Sequence, residues 1–414
     1  MAVLVVCDSL RADLIDAKVS PTLARLREEG TWISDFRGVF PSTTRTSAAS
    51  IATGCRPWAH GLLGNTMVLD EGEGLACHSA GKPDFLDRLR RATGRALQRP
   101  TLHERVAPLG PAVAMSNVSP GAAYVLDPEG AGYVHHRSGS FGPGRTPLAD
   151  RLAIDVGAPG DREMTRRFCD ETLGERHPPF ALLWLSEPDH TGHHAALGSP
   201  EHLAAIGEAD RNVARVLDRI ARLDPGGERI LFAACSDHGM QTIRSRVDVD
   251  AALVEAGFKA SPDSRDVVVA PQGTAVLLHL APSRRQRLPE LVRWLEAQAF
   301  AGRVLTGDAL REAGLPAHDT LVAAVSLASD DEPNAHGVRG RSDVAENAFG
   351  GEYAIGHGQH GGLGAHEQRP FLVLRGGGFG ARAVARPASL IDIAPTILHH
   401  LGLPAGGVEG TSLA

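Results

Sequence analysis

Apolar runs closed by turn residues recur at wide intervals along the chain: Ala2–Cys7, Ala112–Met115, Phe180–Leu185, Arg229–Cys235 and Pro370–Leu374. They are continuous rather than alternating, which predicts strands buried on both faces. Helical periodicity fills the intervals, in Pro21–Glu29, in Thr46–Ala52 and in Glu201–Leu223, where Ile206, Val213, Val216 and Ile220 keep one face apolar. Strand and helix in alternation predict an α/β fold, a three-layer α/β/α sandwich around a largely parallel sheet. Residues 246–340 follow a rhythm of their own, with helices expected at Val249–Ala256 and Leu288–Gln298 and strands at Thr274–Leu280 and Thr320–Ser326. This stretch is read as an inserted α+β cap, which leaves 1–245 and 341–414 as the core. The Gly- and Pro-rich stretch Ser119–Gly144 is expected to be a long loop beside the site.

Polar residues cluster just after the predicted strands: Asp8 after the first, Glu187-Pro188-Asp189 after Leu185, and Asp237-His238 after Cys235. Sites in open α/β sheets form at the carboxyl ends of strands, so these residues are expected to converge on one edge. Asp189 and His193 stand four residues apart, a spacing that lets both reach one metal ion, with His194 as a competing ligand. His357 and His360 lie in a glycine-flanked loop near the C-terminus. Together with Asp8, three carboxylates and three histidines suffice for two oxygen- and nitrogen-ligated ions. The segment Phe40–Ser47 places hydroxyls before a small-residue helical run. Taken alone, it suits a helix cap as well as a phosphate-binding N-terminus.

Composition narrows the chemistry. The net charge is -7 and the chain contains only Lys18, Lys82 and Lys259 as lysines, so neither a nucleic-acid polymer nor an anionic membrane is an expected partner. An anionic substrate would have to meet arginine, backbone N–H groups or bound metal. The five cysteines are irregularly spaced, without a C-x-x-C pair, and suggest free thiols rather than a disulfide framework or thiolate zinc site. The N-terminal apolar stretch is short and lacks a basic flank, which gives a cytoplasmic expectation.

The ordered set of Asp8, the Phe40–Ser47 segment, Thr53-Gly54-Cys55-Arg56-Pro57, His60-Gly61, Gly64-Asn65, Glu187-Pro188-Asp189 with Gly192-His193, Ser236-Asp237-His238-Gly239-Met240 and His360-Gly361 resembles the alkaline phosphatase superfamily. Within it, the chain is most similar to the nucleotide pyrophosphatase/phosphodiesterase (type I phosphodiesterase) branch, which also includes phosphonoacetate hydrolase. The tail Ile391–Thr396 looks like that superfamily's closing helix. The resemblance implies two Zn²⁺ ions, one held by Asp189, His193 and His360 and the other by Asp8, Asp237 and His238, with Thr44 as bridging nucleophile. The same donors accept manganese or iron. Asn65 matches the asparagine that hydrogen-bonds a phosphoryl oxygen, while Glu187 and His60 match supporting positions. The implied activity is hydrolysis of a phosphodiester or pyrophosphate bond through a phosphothreonine. Cleavage of a carbon–phosphorus bond on the same core is the alternative, and a catalytically silent metal-binding homologue is a third reading.

Two departures bear on the substrate. Arg45 stands beside the nucleophile where the branch carries an aromatic or apolar residue. It is read either as a contact for a second anionic group or as a structural ion pair. The lysines by which phosphonoacetate hydrolases hold a carboxylate are absent from Ala114–Pro120. Arg45, Arg137, His135 and His136 are therefore the candidate specificity residues for a small anionic phosphorus-containing substrate, and homo-oligomerisation stays open.

Overall fold

The computed structural model describes residues 1–317, 320–350 and 353–414. Ten strands form the central sheet, in the order Arg382–Val384, Thr31–Ile33, Leu372–Arg375, Leu231–Cys235, Ala2–Cys7, Phe180–Leu185, Val113–Ser116, Tyr133–His135, Phe141–Gly142 and Thr146–Pro147. The inner five strands, from Leu231–Cys235 to Tyr133–His135, run parallel, and antiparallel pairs enter only toward the edges. Ala2–Cys7 lies at the centre, with Cys7 opposite Leu185 and Val6 opposite Cys235.

Alternate residues of that strand enter two separate cores, which is why its sequence reads as continuously apolar. Ala2, Leu4 and Val6 pack with Ala48, Ala49 and Ile51 of the helix Thr44–Thr53 and with the C-terminal helix Ile393–His400. Val3, Val5 and Cys7 pack on the opposite face with the helix Pro21–Glu29 and with Ile206, Val213 and Val216 of the helix Pro200–Leu223. The helix between Thr44 and Thr53 is almost wholly buried, and its Ala and Ser residues let its backbone lie close to the sheet.

Beyond Arg246 the chain builds a second layer set. The antiparallel strands Val267–Pro271, Ala275–Leu280, Leu321–Leu327 and Ala301–Thr306 pair in that order. A separate core running from Val249 to Ala345 covers them with the helices Val249–Glu255 and Leu288–Glu296. The segment Ser329–Pro333, Arg339–Ala345, Gln241–Val247 and Gly358–Gln359 forms a further four-stranded sheet joining this part to the central one.

The sequence pattern missed several of these strands. Ala301–Thr306 is largely exposed, and Gln241–Val247 and Arg339–Ala345 are rich in polar residues, so none of the three reads as a buried run. The expected Ser119–Gly144 loop contains the short helix Pro120–Tyr124 and the strands Tyr133–His135 and Phe141–Gly142. Each is too short to show a period. No helix among the described residues is long and apolar enough to cross a membrane.

Candidate active site

Because the three strands Phe180–Leu185, Ala2–Cys7 and Leu231–Cys235 are parallel neighbours, Asp189, Asp8 and Asp237 emerge side by side from their carboxyl ends. Asp8 and Asp237 are each fixed by a hydrogen bond that leaves one oxygen free. Trp184 Nε1 donates to Asp8 Oδ2 at 3.1 Å, and the N–H of Ser9 donates to Asp237 Oδ1 at 3.1 Å. Asp8 Oδ1, Asp189 Oδ1 and Asp237 Oδ2 are buried without a hydrogen-bond partner. Orphaned buried carboxylate oxygens are costly, and three converging on one place require positive charge.

The imidazoles are aimed in the same way. Nδ1 of His193, His238 and His360 lies 3.1, 3.1 and 2.7 Å from the carbonyl oxygens of Gly358, Gly239 and Ser42. A carbonyl only accepts, so each Nδ1 carries a proton, and in the neutral ring Nε2 then keeps the lone pair that metal-ligating histidines use. His193 Nε2 and His360 Nε2 lie 3.4 and 3.5 Å from Asp189 Oδ1. His238 Nε2 lies 3.1 Å from Asp237 Oδ2 and 3.6 Å from Asp8 Oδ1. Two donor groups, Asp189 with His193 and His360, and Asp8 with Asp189 and His238, each have their ligand atoms within 4.8 Å of one another. Asp189 thus stands between both groups, a sharing that the sequence order did not show.

The charges explain why the cluster needs a cation. Burial, then repulsion from Asp237 and Asp189, pushes the Asp8 carboxyl well above its usual range. Burial likewise raises Asp189, but His193, His360 and His238 outweigh it and leave its carboxyl low. Burial and the stacked ring of His238, 3.8 Å away between centroids, drive His360 well below the ordinary imidazole range. A divalent ion would satisfy acids and bases together.

Thr44 begins its helix with Oγ1 3.2 Å from His238 Nε2. The preceding turn is tied to the His360 loop: Ser42 Oγ donates to the Gly362 carbonyl at 3.0 Å, and the Gly361 N–H donates to Ser42 Oγ at 3.0 Å. The Asp189 turn is held from behind by Asp161, which accepts from the N–H groups of Ser186 and Glu187 and from Asn117 Nδ2. Glu187 accepts from the N–H and hydroxyl of Thr191, capping the helical turn Asp189–Gly192 that carries His193 one turn after Asp189. Burial raises the Glu187 carboxyl to about 7. His60 is fully buried, accepting from the Leu62 N–H and bonding Ser50 Oγ, so it braces the loop that follows Thr53.

Asn65 lines a cleft of about 240 Å³ together with Asp8, Thr44, Arg45, Ser119, Arg137, Asp189, His193 and His360. Its backbone is clamped, its N–H donating 2.7 Å to Gln272 Oε1 and its carbonyl accepting from Ala80, while its side-chain oxygen has no partner. Of the four specificity candidates, Arg45 and Arg137 reach this cleft. His136 lies behind it, its Nε2 donating to the Val118 carbonyl at 2.8 Å. His135 stacks on Tyr133 away from the cleft. The two histidines separate where the strand Tyr133–His135 ends: His135 is its last residue and His136 lies just beyond it.

Sequence reasoning passed over Trp184, Asp161, Gln272 and Glu367. None belongs to a motif. Glu367 is buried behind the His360 loop, accepting from the N–H groups of Gly362 and Gly364 and from Thr274 Oγ1. An isolated acid or amide in a polar stretch offers no signal until its buried partners are known.

A mostly parallel sheet with carboxylates and imidazoles gathered at its strand ends, facing a threonine that opens a buried helix, places the protein in the alkaline phosphatase superfamily. Residues 2–309 match the type I phosphodiesterase / nucleotide pyrophosphatase family, and the chain belongs to it. Ectonucleotide pyrophosphatase/phosphodiesterase family member 1 of Mus musculus is 24% identical over 245 residues, 56% of this chain and 23% of that protein. The Rattus norvegicus counterpart matches over the same extent. The chain therefore spans about a quarter of the length of the curated relatives it matches. Among solved structures, inactive murine ectonucleotide pyrophosphatase/phosphodiesterase 5 in complex with AMP shares the fold at a TM-score of 0.68 and 16% identity, over 99% of this chain and 97% of that one. Phosphonoacetate hydrolase from Sinorhizobium meliloti 1021, in complex with phosphonoformate, shares it at 0.67 and 18% identity, over 97% and 95%.

Proposed function

We propose that the chain is a two-zinc hydrolase that cleaves a phosphodiester or pyrophosphate bond of a small anionic substrate through a phosphothreonine on Thr44. The observation that carries this reading is the position of Thr44 Oγ1, at a helix N-terminus and 3.2 Å from His238 Nε2, amid three unpartnered carboxylate oxygens. Asp189, His193 and His360 would hold one ion, and Asp8, Asp237 and His238 the other, together with Thr44. The same hard-to-borderline donors suit manganese or iron. When bound, such ions stabilise an alkoxide near neutral pH and the charge on attacking and leaving oxygens.

The chain's own groups account for the remaining steps. Thr44 Oγ1 attacks phosphorus, and the leaving group departs from the opposite side in line. The helix N–H groups at Thr44 and the Asn65 amide hydrogen-bond the phosphoryl oxygens as negative charge develops on them. Water entering from the vacated side then cleaves the phosphothreonine and regenerates the Thr44 hydroxyl. We also read 1–245 and 341–414 as the catalytic core and 246–340 as an inserted subdomain whose Gln272 and Thr274 brace the site.

The test is turnover of a bis-aryl phosphate, an aryl monophosphate, a dinucleotide and a phosphonate panel by the zinc-loaded protein. Diester or pyrophosphate cleavage is expected. If all diesters and dinucleotides are inert while one phosphonate is hydrolysed, carbon–phosphorus cleavage replaces this reading.

A further inference from the structure

Arg45 follows the proposed nucleophile directly and lines the same cleft. Its guanidinium makes no hydrogen bond and no ion pair among the described residues, and its Nε is buried without a partner. Its two terminal nitrogens are not among the buried unpartnered atoms, so they open into the cleft while Nε lies buried behind them, and a buried polar atom left without a partner is costly. The surroundings are also shaped for it. A Cβ added at Gly81 would lie 2.5 Å from Arg45 Nη2 and 3.0 Å from Cζ, so the absence of a side chain at Gly81 makes the space in which the guanidinium lies. Its electrostatic neighbours are Tyr353, Asp189 and Asp8, and the two carboxylates are already committed to the proposed metal site.

Two further donors face the same cleft. Ser119 Oγ is buried and has no partner. Arg137 is anchored by Nη1, which donates to the Val118 carbonyl at 2.9 Å and to Asn117 Oδ1 at 3.1 Å. None of its other nitrogens is bonded to protein among the described residues, and none is counted among the buried atoms without a partner.

The cleft, at about 240 Å³, falls below the roughly 300–1,000 Å³ of sites that enclose drug-sized ligands. Its volume holds a phosphoryl group with a second anionic group close beside it. In the proposed reading, the positive charge of two divalent ions is offset by three aspartates and a Thr44 alkoxide, so Arg45 and Arg137 remain as net positive charge. A diester monoanion would leave part of that charge unmatched.

Resting on the phosphoryl-transfer reading, we infer that Arg45, with Ser119 and Arg137, forms a subsite for a second anionic group. The substrate is then a compact phosphoryl compound carrying a carboxylate or a second phosphoryl group a few bonds from the reacting phosphorus. A planar guanidinium pairs bidentately with either group.

Calorimetric binding to the zinc-loaded Thr44→Ala variant tests this without turnover. The probes are ethylphosphonate, with one anionic centre, 3-phosphonopropionate, which adds a carboxylate, and ethylenediphosphonate, which adds a second phosphoryl group. At least one two-centre probe is expected to bind about tenfold or more tighter than ethylphosphonate, as charge-assisted pairing provides. The carboxylate and diphosphonate arms show which group the subsite takes. Adding Arg45→Met should remove most of that preference, and Arg45→Lys, which keeps charge without the fork, should retain part of it. Equal binding of all three probes overturns the inference, as does a preference that survives in Arg45→Met, since metal chelation alone would then explain it. Failure of ethylphosphonate to bind at all overturns the phosphoryl site itself, and the subsite with it.

Discussion

Replacing Gln272 by leucine tests whether the inserted segment helps to build the catalytic centre. Gln272 is 1% exposed. Its Oε1 accepts from the N–H of Asn65 at 2.7 Å, and its Nε2 donates to the Thr66 carbonyl at 2.8 Å and to Thr66 Oγ1 at 3.2 Å. Its backbone meanwhile abuts the other catalytic loop, where a Cβ at Gly361 would lie 1.5 Å from the Gln272 carbonyl oxygen. Leucine would leave the Asn65 N–H and the Thr66 carbonyl buried and unsatisfied. At about 1–3 kcal/mol each, the expected loss of stability is roughly 2–6 kcal/mol, measured by denaturant unfolding. The catalytic effect should run through Asn65, because a displacement of about 1 Å in a positioning group costs on the order of 10²-fold in rate. It should fall mainly on kcat, since in the proposed mechanism Asn65 acts on charge that develops during reaction. A double-mutant cycle separates positioning from general damage: in an Asn65→Ala background the rate penalty of Gln272→Leu should largely vanish. A penalty of equal size in both backgrounds would refute the argument.

Buried histidines should weaken the folded state on acidification. Burial depresses His60 to about 3 and His135, His136 and His202 to about 4, against an ordinary value of 6.5. Below pH 6.5 the unfolded chain takes up these protons before the folded one, so stability is present above 6.5 and is lost as pH falls toward 4. Each histidine contributes up to about 1.4 kcal/mol per pH unit. The raised carboxyls of Asp8, Asp161 and Glu187 act in the opposite sense over the same range, so the histidine effect is read as a difference: unfolding at pH 7, 6 and 5 should lose stability less steeply in His135→Leu than in the unaltered protein, and equal slopes would count against the assignment. Metal removal is expected to lower the unfolding midpoint, because Asp8, Asp189 and Asp237 then face one another without a cation, and zinc should restore it by mass action. Chelation that leaves the midpoint unmoved would show that the cluster binds no structural ion. Asp161→Ala should weaken zinc affinity by about 10–100-fold, as the loss of an outer partner of a ligand turn does; equilibrium competition with a chelating dye reads this directly.

The buried framework was legible because burial on both faces writes a continuous apolar run. Ala2–Cys7, Phe180–Leu185 and the helix Pro21–Glu29 have the bounds the pattern predicts. The residues at the ends of those strands were legible because parallel neighbours bring their carboxyl ends together whatever their separation in sequence. What escaped were elements whose reason lies across space. Gln241–Val247 and Arg339–Ala345 are held to each other by pairing, with Arg244 bridging Asp330 and Asp343, and neither reads as a strand alone. The same holds for His135 and His136, adjacent in sequence, of which the first ends a three-residue strand and the second lies just beyond it. Asp161 supports the Asp189 turn from a helix that nothing in the sequence connects to it.

Thr44 is the proposed attacking group in a site where three aspartates and three histidines would hold the ions even without its hydroxyl. Metal content and turnover measured together on Thr44→Ala test that most directly. The account predicts about two zinc ions per chain, as in the unaltered protein, with turnover lowered by at least about 10³-fold. Turnover within about tenfold of the unaltered protein, with both metals retained, would remove Thr44 from the mechanism and contradict the central claim.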